Sequence, residues 1–256
     1  MTSLCAEYYQ FFLAQGLLLG VGISIIILPA FATVPRHFQK HRGLALGITV
    51  SGSSLGGIIW PIALRKLFQE VGFGWGVRIA GFIMLPLLLL GCIFVKLPAS
   101  SAQALKAAPS KPDFSVVKDI RLILLAAGMF CIYLGLFSPF FYITTWTVSL
   151  GLNADMAFYM VSIINAASLP GRIIPGLLAD KLGAFNIVIL MTAFSGIVCM
   201  CWTTATRMGG IVVLSLAYGL ASGAVIGIQG LCVASLVQPK QYGVGMGFVF
   251  SILSIA

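Results

Sequence analysis

Long apolar runs separated by short polar punctuation dominate this chain. Stretches with little or no charge lie at 9–34, 43–64, 73–95, 122–148, 156–178, 186–206 and 209–237, and an eighth opens near Tyr242 and runs to Ala256. Each of the seven is about as long as the roughly 20 residues an α-helix needs to cross hydrocarbon. At that length only a helix satisfies every backbone group within one segment in lipid, so the pattern predicts an all-α polytopic membrane protein. The one clearly polar stretch, 97–118, holds Pro98, Pro109, Pro112 and several lysines. It separates three spans in 1–96 from the spans of 119–256.

Composition agrees with this reading. The 256 residues are 60% hydrophobic and 8% charged, against roughly 25% charged in soluble domains. A cytosolic enzyme, a nucleic-acid module and a disulfide-stapled secreted domain are excluded. The net charge of +9 then serves to orient loops. Arg36, Lys40, Arg42, Lys96, Lys106, Lys111, Lys118, Arg121, Lys181 and Lys240 fall on one side, while Arg65, Lys66, Arg78 and Arg207 fall on the other. The richer side is expected to be cytoplasmic, which makes 97–118 a cytoplasmic linker and puts the N-terminus outside. Such a start, with no span ahead of it, carries the expectation that something upstream is missing. Five of the six cysteines lie within apolar runs, none in a CxxC pair, and read as packing residues. His37 and His41 lack a third ligand and read as part of a basic membrane-surface loop. No metal site, cofactor motif or intramembrane catalytic pairing stands out, so an enzyme is not expected.

Two stretches six spans apart resemble each other. AQGLLLG (Ala14–Gly20) matches AYGLASG (Ala217–Gly223), and GLALGI (Gly43–Ile48) matches GVGMGF (Gly243–Phe248). Small residues four apart let helix backbones approach closely in lipid, and a parallel six-span repeat relates the halves of many secondary transporters. A second feature closes the fifth span: GRIIPGLLADKLG (Gly171–Gly183). Its core, Gly176, Leu178, Ala179, Asp180, Lys181 and Gly183, sits at a helix end before a short turn. An acid and a base there either hold the end of a neighbouring helix in one conformation and release it in another, or form a solvated charged turn. Arg42, opening the second span, is either the partner of such an ion pair or a positive-inside anchor.

Within the fifth run, Asn165, Ser168 and Arg172 are spaced to share one helical face. An arginine at depth costs roughly 2.5–3.5 kcal/mol on insertion scales, so it is expected to face a cavity or a partner. The stripe suits a small organic anion; the alternative is a guanidinium snorkelling to the interface. Pro170 and Pro175 are expected to kink this helix. Tyr133, Phe137, Phe140, Phe141, Tyr142 and Trp146 crowd the fourth run; some of them either line a path for a bulky apolar substrate or, as the default reading, pack against lipid and anchor at the interface.

The G-x-L-A-D-K-x-G motif after the second span beyond the linker resembles the loop signature of the major facilitator superfamily. EYYQFFLAQGLLLGVG (Glu7–Gly22), HFQKHRGLALGITVSGSSLGG (His37–Gly57) and AYGLASGA (Ala217–Ala224) resemble its monocarboxylate-porter branch, the fungal members above all. The resemblance implies a helical bundle of which about eight of twelve spans, four to eleven, are in view. Residues 1–96 would be the last spans of the N-terminal half, and 119–256 the C-terminal half without its final span. It places Arg172 where the branch carries a mid-membrane arginine for a substrate carboxylate. Ser168 stands where acid-transporting members have an aspartate associated with proton coupling, and Leu46 where some have an asparagine. The implied activity is transport by alternating access, in a multi-pass protein of the plasma membrane. The cargo is a monocarboxylate-like weak acid or a fungal secondary metabolite, efflux is one direction the resemblance allows, and proton coupling is left open. The implied partners are the lipid bilayer and that cargo, with no nucleic acid. A rival expectation is a truncated chain that transports nothing, or one that serves as an interaction partner of another membrane protein.

Overall fold

Apolar runs of this length fold as helices because lipid offers the backbone no hydrogen-bond partner. The computed structural model describes residues 2–5, 7–38, 40–94, 114–239 and 241–256, with only the backbone for Arg36, Ala154 and Asp155. A short helix, Tyr8–Phe11, and a π-helical segment, Phe12–Leu18, lead into α1 (Leu19–His37). There follow α2 (Arg42–Phe94), α3 (Ile120–Leu136), α4 (Ser138–Ser149), α5 (Ala154–Leu182), α6 (Ala184–Met200), α7 (Met208–Leu236) and α8 (Tyr242–Leu253). Short 3-10 turns occupy Thr2–Leu4, Phe114–Lys118 and Cys201–Thr204, and no strand occurs among the described residues. Six helical stretches are long and apolar enough to span a membrane: Tyr8–Pro35, Arg42–Phe94, Ile120–Ser149, Met156–Leu182, Ala184–Thr204 and Met208–Leu236. The chain is an all-α, multi-pass membrane protein. Of the linker expected at 97–118, residues 97–113 lie outside the described residues, as do Lys96 and Lys240; the Arg36 side chain does too.

The structure departs from the expected spans at particular residues. The runs 43–64 and 73–95 are two helices within α2, as expected, but the loop between them shrinks to Gly72, whose φ of 76° and ψ of 169° separate them at a kink. A side chain's Cβ disfavours that conformation, so glycine can break the helix there without a longer loop. The expected fourth span pauses at Phe137 and restarts as α4 with Pro139 in its first turn, where the missing amide would be unpaired in any case. α5 is one continuous helix through Pro170 and Pro175. It ends at Gly183, whose φ of 92° turns the chain directly into α6 while its amide still bonds to the Ala179 carbonyl at 3.0 Å.

The described residues fall into two compact units, one of 1–37 and 60–94, the other of 38–59 and 114–256. In the first, Glu7 and Gln10 form a reciprocal cap on the opening turn. Phe73 packs against Phe11 and Phe68, with ring centroids 6.0 and 5.3 Å away. Arg78 stacks on Trp75 at 5.0 Å and donates to Ser3 Oγ at 3.2 Å. In the second unit α7 is the enclosed centre, with 61% of its most apolar window buried within the protein, against 39% for α5 and 28% for the α6 stretch. A cluster of Ile143, Met160, Ile164, Val198, Ile211 and Tyr218 forms the apolar core at one end of these helices. Tyr218 seals it by donating to the Leu136 carbonyl at 2.7 Å. Phe141 and Tyr142 are exposed.

Candidate functional site

The site is built on α5, which is clasped by two other segments of the second unit. On one side, Gly219, Gly223 and Gly227 of α7 recur every fourth residue. A Cβ on each would meet Ile164, Ser168 and Arg172 in turn, so the two helices run parallel in close register. On the other side, the first part of α2 runs antiparallel. Gly43 lies against Gly176, Gly47 against Arg172, and Gly57 against Asn165, and a methyl at any of them would overlap the opposing atoms. Bare backbone surfaces bring helices this close, and packing is what holds them in lipid. The repeat noted in the sequence therefore divides. Gly43/Gly47 and Gly219/Gly223 are helix contacts, whereas Gly20, Gly243 and Gly247 have nothing within 4 Å and Gly16 meets only the ring of Phe12.

Asn165, Ser168 and Arg172 share one face of α5, and that face meets α2. The Ser168 and Ser54 hydroxyls are hydrogen-bonded at 2.8 Å across the seam, both fully buried. The Asn165 side-chain amide donates to the Val161 carbonyl at 2.9 Å and fills the space above Gly57. Arg172 is 6% exposed. Its Nη1 donates to the Val50 carbonyl at 2.7 Å and to Ser53 Oγ. These acceptors explain how a guanidinium is held so deep: two dipoles replace part of its hydration. Nε is sealed without a partner. Nη2 makes no hydrogen bond among the described residues and is not sealed in the same way. The guanidinium thus keeps one donor edge in reserve. Leu46 is completely buried.

Sequence reading missed the partners from other helices. Tyr133, taken as a lipid-packing ring, instead donates its hydroxyl to Gln229 Oε1 at 2.6 Å, and lies close enough to Arg172 for the two to interact electrostatically. Gln229 is 6% exposed. It is the one amide side chain in the apolar run 209–237, and that signal could have flagged it, because polar groups in spans are costly and face the protein interior. For Ser53 and Ser54 the sequence carried no such mark.

The loop motif has a definite partner. Asp180 accepts from the Gly43 and Leu44 amides at 2.8 and 3.1 Å, so it caps the first turn of α2. Arg42 makes no ion pair among the described residues, and its Nε is buried without a hydrogen bond. A cap is preferred because the helix's own terminal amides are fixed in place and carry the positive end of its dipole. Gly176 allows the approach by lying against the Gly43 carbonyl, Lys181 points outward, exposed, and Gly183 makes the turn.

The chain is 60% identical over its whole length to the agnestins efflux protein AgnL12 of Paecilomyces divaricatus, covering 58% of that protein. It is 41% identical to an MFS-type transporter of Aspergillus fumigatus, covering 63% of it, and 37% identical to the aspyridones efflux protein apdF of Emericella nidulans, covering 52%. The chain thus spans between about half and two thirds of the length of these curated relatives. The Major Facilitator Superfamily profile matches residues 1–256. Helical spans, glycine-packed seams and a profile match from end to end make this chain a member of the major facilitator superfamily.

Proposed function

We propose that this chain carries the substrate-handling face of a secondary transporter that exports an organic anion, a secondary metabolite in class, by alternating access. The observation that carries the reading is Arg172: a guanidinium held between α5 and α2, with Nη1 occupied and Nη2 without a hydrogen bond among the described residues. Export is favoured by the relatives, two of which are named as efflux proteins. Ser168 places a hydroxyl, not a carboxylate, one turn from the cation. That argues against a proton-symport pair of the kind acid-uptake members carry, because a serine does not titrate near neutral pH. The His37–Gly57 and Ala217–Ala224 motifs favour the monocarboxylate-porter branch, and the plasma membrane is the fitting location for export.

In this reading residues 1–96 and 119–256 belong to the two transporter halves, with 97–118 as the cytoplasmic link. Asp180 is the latch, with Gly176 and Gly183 shaping its approach and Lys181 and Arg42 flanking it. It caps α2 while the seam is shut and lets go when the seam parts. Asn165 and Ser168 extend the polar track from Arg172. Flux of radiolabelled benzoate in proteoliposomes tests the site. Loss of a charge-assisted hydrogen bond is worth about 1.5–3 kcal/mol, so Arg172→Gln is expected to weaken apparent affinity by at least about tenfold. Unchanged flux and affinity would remove Arg172 from the site.

A further inference from the structure

The polar cluster around Arg172 contains one pair that anion binding alone does not require. Gln229 is buried in the otherwise apolar α7, where an amide is expensive unless it bonds or serves a ligand. Its Oε1 is taken by the Tyr133 hydroxyl at 2.6 Å. That separation suits O–H···O better than N–H···O, which fixes the amide's orientation. Nε2 therefore points away from Tyr133 with two N–H groups. It makes no hydrogen bond among the described residues, yet it is not among the sealed polar atoms. Two residues before it, Gly227 lies directly against the backbone and Cβ of Arg172; positions two apart point to nearly opposite sides of a helix, so Gln229 faces α3 rather than α5. The link between the neutral donor and the charged one is Tyr133, on α3, which holds the orientation of Gln229 and lies close enough to Arg172 for the two to interact electrostatically.

We infer that Gln229, oriented by Tyr133, is a specificity-determining residue that favours organic anions bearing a neutral carbonyl oxygen close to the charge. This rests on the reading of Arg172 as the anion site. The chemistry is complementary: the cation takes the carboxylate or enolate, and the amide N–H takes the ketone or lactone oxygen beside it. An anion without that second acceptor leaves the amide unsatisfied, and a site built to hydrogen-bond rejects such a ligand more strongly than an apolar pocket rejects a misfit.

The test uses 2-benzoylbenzoate, whose ketone is both the acceptor and a photocrosslinker, on the full chain in proteoliposomes. Its competitor is 2-benzylbenzoate, which has nearly the same shape and charge but no ketone. Saturable labelling is expected on peptides of α3 and α7, with the ketone compound preferred by about tenfold in affinity. Gln229→Met, of similar length but without a donor, is expected to bring the ratio near one by weakening the ketone compound alone. Tyr133→Phe, which frees the amide to rotate, is expected to lower the ratio partway. A ratio unchanged in both variants, with labelling still lost in Arg172→Gln, would overturn this inference and leave the anion site standing. Labelling that survives Arg172→Gln, or no saturable labelling of the unsubstituted chain, would overturn the anion site and this inference with it.

Discussion

Replacing Asp180 is expected to loosen the seam between α5 and the first part of α2. The carboxylate makes two charge-assisted hydrogen bonds, 2.8 Å to the buried Gly43 amide and 3.1 Å to the more exposed Leu44 amide. Deleting a helix cap costs about 0.5–2 kcal/mol, and the lost charge at a helix N-terminus about 0.3–1 kcal/mol more. Asp180 is itself exposed, and solvent screens its charge, so the lower part of the combined range applies. Asp180→Ala then costs about 1.5 kcal/mol, which is roughly a tenfold rise in the population of the parted seam. Asp180→Asn keeps an acceptor for one amide but loses the charge, and a change of about two- to fivefold is expected. The reporter is the thiol introduced by Ser54→Cys in a background without the native cysteines. Ser54 is fully buried against Ser168, so it reacts with a maleimide only when the seam opens. The expected order of labelling rates is Asp180→Ala, then Asp180→Asn, then unsubstituted. Equal rates in all three would refute the claim that this cap holds the seam.

Other substitutions test the packing. Gly223→Val would put its Cβ 2.6 Å from the Ser168 carbonyl oxygen; overpacking of about 1–3 kcal/mol or more should lower the thermal unfolding midpoint in detergent. Gly247→Ala, with nothing within 4 Å, should stay within about 0.5 kcal/mol of the parent. Gly72→Ala forces a side chain into φ 76° and should cost about 1–3 kcal/mol, read by the same melting assay. Tyr218→Phe removes the hydrogen bond to the Leu136 carbonyl at 2.7 Å and strands a buried acceptor, at about 1–3 kcal/mol; unchanged melting would refute this.

Hydropathy and residue spacing, read along the chain, already set out the helical class and the position of nearly every span, because lipid permits few alternatives to a helix. They also put Asn165, Ser168 and Arg172 on one face, since helical period is a local property. The sequence did not tell which segment covers that face. Val50, Ser53 and Ser54 lie more than a hundred residues away, on a run whose composition resembles its neighbours. Nor did the glycine spacing separate the pairs that touch another helix from those that do not, because Gly-x-x-x-Gly makes close approach possible without naming a partner. Asp180 was legible as a charge at a helix end, but its acceptor role toward the Gly43 and Leu44 amides was not, since backbone donors leave no trace in residue type. Tyr133 read as one more aromatic and Gln229 carried no reading of its own until α3 and α7 met. Local periodicity determined which side chains share a face; long-range packing decided what each face meets, because that depends on the docking of helices distant in sequence.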